Sequence, residues 1–105
     1  MHETDHVTLS FTCDFDAKVE WEIQQKGYFE HILVQLPDGI NVPVCFWDPV
    51  RLSQDLVTDL KSGRTCIAEP GMIIIPEVTV ENMKAAVEEL YHRGYFDRLR
   101  SLFQP

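Results

Sequence analysis

The sequence predicts an α+β domain: a mainly antiparallel sheet built from two successive ββα units, two helices on one face, N-terminal strands beside them and a short C-terminal helix. Three observations predict it. Apolar residues alternate on both sides of Pro37-Asp38-Gly39, as they do in a hairpin with one buried face. An apolar run, Met72-Ile73-Ile74-Ile75, leads into a segment with the spacing and end signals of an amphipathic helix. Finally, the turn glycines Gly39 and Gly71, the helix starts Asp48 and Thr79, and the helix stops Gly63 and Gly94 recur at spacings of 32, 31 and 31 residues. The two copies share few residue identities, so the repeat is one of architecture.

From Val7 to Ile23 the odd positions are apolar and the even ones polar, which is the period of a strand. Seventeen residues exceed the usual strand, so a bend at Asp14-Phe15-Asp16 is expected to divide it in two. The alternative is a helix from Asp16 to Lys26, capped by Asp16 and stopped by Gly27. In that helix Val19, Trp21 and Ile23 would scatter around the axis, and strand is the preferred reading.

Between Ile32 and Phe46 the even positions Ile32, Val34, Leu36, Ile40, Val42, Val44 and Phe46 are apolar. Pro-Asp-Gly suits a three-residue loop with Gly39 in the left-handed position, which pairs Leu36 with Ile40 and puts the whole set on one face. Asp48-Pro49 then opens a helix, Asp48 as cap and Pro49 preset for the first turn. Leu52, Leu56, Val57 and Leu60 are its expected buried stripe, and Gly63 its stop. Thr65–Ala68 and Met72–Val78 read as a second hairpin turning at Glu69-Pro70-Gly71. Thr79 caps the next helix, whose Val80, Met83, Ala86, Val87, Leu90 and Tyr91 fall within an arc of roughly 140°. After Gly94, the spacing of Phe96, Leu99, Leu102 and Phe103 predicts a C-terminal helix folded back onto the core.

The 105 residues are expected to make one domain, with residues 1–6 expected to be a frayed end. Nine basic against seventeen acidic residues give a net charge of −8, which opposes binding to nucleic acid, where phosphates call for clustered Lys and Arg. Residues 1–31 hold seven of the acids and only two bases. No stretch is apolar for long enough to span a membrane and no signal peptide is visible, so a cytoplasmic protein is expected. The three cysteines, Cys13, Cys45 and Cys66, are odd in number and far apart, which fits reduced, mostly buried structural thiols, with Cys13 on the apolar parity of one strand and Cys45 on an odd position of another.

Few residues invite a chemical reading. His2-Glu3-Thr4-Asp5-His6 matches the H-E-x-x-H zinc pattern, but it sits in a polar terminus without the apolar stripe of a buried helix, and no metal or cofactor is expected. Asp48, Glu69, Glu77, His31 and His92 each have a structural explanation as caps, turn neighbours or solvated polar residues. Lys26-Gly27-Tyr28-Phe29-Glu30 echoes Arg93-Gly94-Tyr95-Phe96-Asp97, as two chain reversals followed by packing aromatics would. Phosphate-cradle, nucleophile-elbow and C-x-x-C motifs are missing, and an enzyme is the second choice.

The preferred reading is an interaction module of the inhibitor or immunity type. Its acidic face would be Asp14, Asp16, Glu20 and Glu22, a row suited to a basic protein partner. The alternative is a small enzyme or ligand binder with a site between sheet and helices. Ile73 and Ile75, with Cys45 and Trp47, are expected on the sheet face away from the helices. That face would need cover, either from the N-terminal strands or from a second copy with Trp47 as anchor of a homodimer.

Overall fold

The computed structural model describes residues 7–103. In chain order it forms β1 (Thr8–Phe11), α1 (Ala17–Lys26), β2 (Tyr28–Gln35), β3 (Asn41–Trp47), α2 (Pro49–Lys61), β4 (Met72–Ile74), α3 (Val80–His92) and α4 (Tyr95–Phe103). The four strands make one sheet in the order β1-β2-β3-β4. β1, β2 and β3 pair antiparallel, whereas β4 joins β3 in parallel, so the sheet is mixed and not mainly antiparallel.

The central hairpin forms as its pattern predicts. Leu36 N–H donates to Ile40 C=O at 2.9 Å, Gly39 N–H returns to Leu36 C=O at 2.9 Å, and Gly39 takes φ 91°. Ile32, Val34, Leu36, Val42, Val44 and Phe46 are buried on one face. A bulge between Phe29 and Ile32 sets Glu30 and His31 against Cys45 alone, which lets the odd-numbered Phe29 share that face with the even residues that follow.

Three expectations need correction. The stretch Ala17–Lys26 is helix and not strand: Asp16 accepts from Val19 N–H at 2.9 Å, and Gly27, at φ 72°, donates to Ile23 C=O at 2.8 Å. Val19 and Ile23 are four residues apart and face the core together, while Trp21 points out at 63% exposure. Capping at both ends thus decides a segment whose alternation fits half a helix as well as a strand. Second, 64–69 is not a strand and the second hairpin does not form, since the chain leaving α2 crosses over to the free edge of β3 and enters β4 in parallel. Third, Phe46 pairs with Ile73 and Trp47 with Ile74, one residue out of step with the repeat alignment. That single step turns every side chain over: Ile73 and Ile75 are buried on the core face, and Met72 and Ile74 lie opposite.

The core is closed by α1, α3 and α4 on one face. Ile23, Met83, Val87 and Phe96 join the strands' buried residues, with Val80, Ala86, Leu90, Tyr91, Tyr95 and Leu99 packed at the margin. Leu102 projects outward at 63% exposure, so α4 docks through its first two turns. The echoed motifs play matching parts: Gly27 and Gly94 have φ 72° and 79°, and Phe29 and Phe96 enter the core directly after them.

Candidate functional site

Helix α2 stands apart, with no buried residue. It lies against the other face of the sheet, where Tyr28, Trp47 and Ile74 form a cross-strand row. Asp48 begins it, accepting from Arg51 N–H at 2.7 Å while its own N–H donates to Gly27 C=O at 2.9 Å. One turn on, Asp55 accepts from Trp47 Nε1 at 3.0 Å and from Arg51 Nε at 3.0 Å. Arg51 also reaches Lys26 C=O at 3.1 Å and stacks over Tyr28, 5.6 Å from its centroid. Polar groups therefore fix α2 to the joint between α1, β2 and β3, and bury Trp47 to 6% exposure. On the second face, α2 supplies the cover over Trp47 and Tyr28.

That anchoring leaves the apolar side of α2 in solvent. At 100° per residue Leu56, Leu60, Val57 and Val50 span an arc of about 120° turned away from Arg51 and Asp55. They are 37%, 53%, 48% and 67% exposed. The stripe expected to be buried is thus apolar as read, but Leu52 alone is half-buried and the rest faces out.

Beside Trp47 the bulge opens a concavity of about 290 Å³ lined by Tyr28, Glu30, His31, Cys45 and Glu69. The Tyr28 hydroxyl donates to Glu30, and its pKa is raised, first by burial and then by that carboxylate. The Cys45 thiol is pushed up to about 11 by burial, with Glu69 and Glu30 adding. These are the shifts of a protonated thiol in a negative potential, the reverse of what activates a nucleophile. Among the described residues no group of three His, Cys, Asp or Glu side chains converges to hold a metal ion.

The thiols make a direct check. Cys66 is exposed, Cys13 half-buried and Cys45 buried, so the expectation of buried structural thiols holds for Cys45 and fails for Cys66. Moving the Cys45 pKa from 9.0 to about 11 lowers its thiolate fraction at pH 8 about a hundredfold. Timed labelling with a disulfide reagent should modify Cys66 first and Cys45 last, slower by about that factor or more. Equal rates for the two would contradict the burial.

A further concavity of about 460 Å³ lies between β4 and α3, lined by Ile73, Ile75, Asn82, Ala86, Leu90 and Arg93 among others. Arg93 pairs with Glu89 at its rim, 2.9 Å apart.

The remaining candidates are dispersed. Asp14 precedes α1, Asp16 caps it, and Glu20 and Glu22 stand about 200° apart around it, so the four do not form one acidic row. Glu77 accepts from Gln24 Nε2 at 3.1 Å and its C=O from Asn82 Nδ2 at 3.0 Å, joining α1 to the start of α3. His31 and Glu69 share the bulge concavity, Asp48 is a helix cap, and His92 is exposed beside Tyr91. The H-E-x-x-H match lies outside the described residues. Neither the Trp47–Asp55–Arg51 anchor nor the β4–α3 concavity was visible in the sequence. No helix among the described residues is long and apolar enough to cross a membrane. Comparison with models of known families, with characterised proteins and with solved structures found no match to this chain.

Proposed function

We propose that this domain is a protein-interaction module that presents α2 to its partner. The observation that supports it is the four-residue apolar arc of α2, exposed on a helix whose opposite side is held by Trp47, Tyr28 and Arg51. A firmly anchored helix with its apolar side outward is preorganised for docking into a groove, with side chains three, four and seven residues apart as anchors. The partner is a protein with an apolar groove and a basic surround, since the net charge of −8 speeds encounter with positive surfaces and slows that with acidic ones. The chemistry of the bulge concavity, with its protonated thiol, favours this reading over an enzyme.

The test is the double variant Leu56→Glu, Leu60→Glu. Neither side chain is buried, so the variant should keep the wild-type circular dichroism and melt within a few degrees of wild type. A partner cross-linked to the wild-type protein in its native cell should be lost from the variant, with affinity reduced a hundredfold or more. A large drop in melting temperature would mean the arc packs within the molecule, and unchanged capture would remove α2 as the docking surface.

A further inference from the structure

The outer edge of β4 is the free end of the sheet, and its hydrogen bonds can be accounted for residue by residue. Cys45 N–H donates to Gly71 C=O at 3.0 Å and Ile75 N–H to Trp47 C=O at 2.9 Å. In a parallel ladder alternate residues face the neighbour, so Gly71, Ile73 and Ile75 are turned to β3, and Met72 and Ile74 are turned away. Met72 N–H closes the turn on Glu69 C=O at 3.2 Å. Among the described residues nothing bonds to the Met72 C=O, the Ile74 N–H or the Ile74 C=O. These three groups face outward in the spacing that an added strand would meet. Ile74 presents a side chain 44% exposed on one side of the edge, and on the other lies the 460 Å³ groove under α3, where Ala86 leaves room.

We propose that this edge and groove take an extended, basic segment of another protein as a fifth strand, with alternate apolar side chains entering the groove. Backbone bonds to Met72 and Ile74 would supply affinity, and the groove would select the side chain opposite Ala86 and Leu90. A second copy of this chain does not fit. Its own Ile73 and Ile75 are committed to its own core, so edge-to-edge pairing would bring no side chain into the groove. The charge of −8 on each copy also opposes it. An incoming segment with both faces uncommitted meets neither obstacle. This surface is separate from the α2 arc, and either can fail without the other.

The experiment selects phage-displayed random dodecapeptides on the wild-type protein. Enriched sequences should alternate apolar and polar residues, carry net positive charge and lack a central proline. On binding, the Ile74 amide should shift and exchange more slowly, with parallel shifts at Ala86 and Leu90. Ile74→Pro removes the outward N–H without touching the ladder to β3, and should weaken every selected peptide about tenfold or more. The Leu56→Glu, Leu60→Glu variant should bind them as wild type does. Because Ile74→Pro could disturb folding, selected peptides N-methylated at alternate residues repeat the test on the unaltered protein: methylation in one of the two phases should abolish binding. The assignment is overturned if no peptide is enriched, or if enriched peptides bind Ile74→Pro and both N-methylated forms undiminished. An Ile74 amide already slow to exchange in the free protein would also overturn it, since the edge would then be occupied by a second copy.

Discussion

Replacing Phe46 with alanine should remove about 3–5 kcal/mol of folding stability, the range for truncating a fully enclosed aromatic. Phe46 is 0% exposed, on β3, flanked across the ladders by Phe29 and Ile73, so the vacated volume is lined by strands that cannot collapse into it. A domain of this size holds about 5–15 kcal/mol in total, and each kcal/mol moves the midpoint by about 4–8 °C, so melting should fall by roughly 12–40 °C. Phe46→Leu, which keeps most of the volume, should cost clearly less. Chemical denaturation of the three proteins checks this, and a Phe46→Ala loss below about 1 kcal/mol would show that the core is not built around this residue.

Gly71→Ala should cost about 2–4 kcal/mol, far more than one methyl group ordinarily does. Its φ of 80° is unfavourable for alanine, and an added Cβ would stand 2.5 Å from the Pro43 carbonyl oxygen and 3.2 Å from Val44 Cα. Both are backbone atoms of β3, so relief requires β4 to move away and give up the bond from Cys45 to Gly71. Gly39→Ala is the control: φ is 91°, but nothing lies within 4 Å, so only the conformational strain of about 1 kcal/mol should appear. Equal losses at the two positions would mean that strain, and not the approach of β4 to β3, governs Gly71.

What could be read from the sequence was whatever local signals determine. The hairpin around Gly39 and the helix after Thr79 were legible because turn chemistry, capping and periodicity agree there. The helix Ala17–Lys26 was not, because Val19, Trp21 and Ile23 alternate like a strand. Asp16 and Gly27, which decide it, are the weaker signals by eye. Pairing of β4 was out of reach for another reason: four consecutive apolar residues, Met72 to Ile75, carry no alternation to fix a register, and the contact that fixes it is Gly71 against the distant Pro43. For α2 the apolar arc was legible, but periodicity tells which side is apolar and not whether a core waits there. Without that fact the sequence points to Asp14, Asp16, Glu20 and Glu22 and to Trp47, Ile73 and Ile75 as candidate surfaces, and the last three are buried.

The parallel entry of β4 also sets an order of assembly. β2 and β3 are joined by a tight reversal, so their pairing closes a small loop and forms early. β1 and β4 each close a longer loop, and β4, which brings Met72 back beside Cys45 across the whole of α2 and the stretch 64–69, is repaid by the shorter ladder, three residues against four. It is therefore the last strand to dock. Until it does, the outer edge of β3 is open along Cys45, Phe46 and Trp47, an apolar edge on which two chains can pair wrongly. Chains that stall at this step should aggregate, and more so at high concentration. A stopped-flow comparison would show it, with Gly71→Ala raising the unfolding rate and leaving the folding rate nearly unchanged.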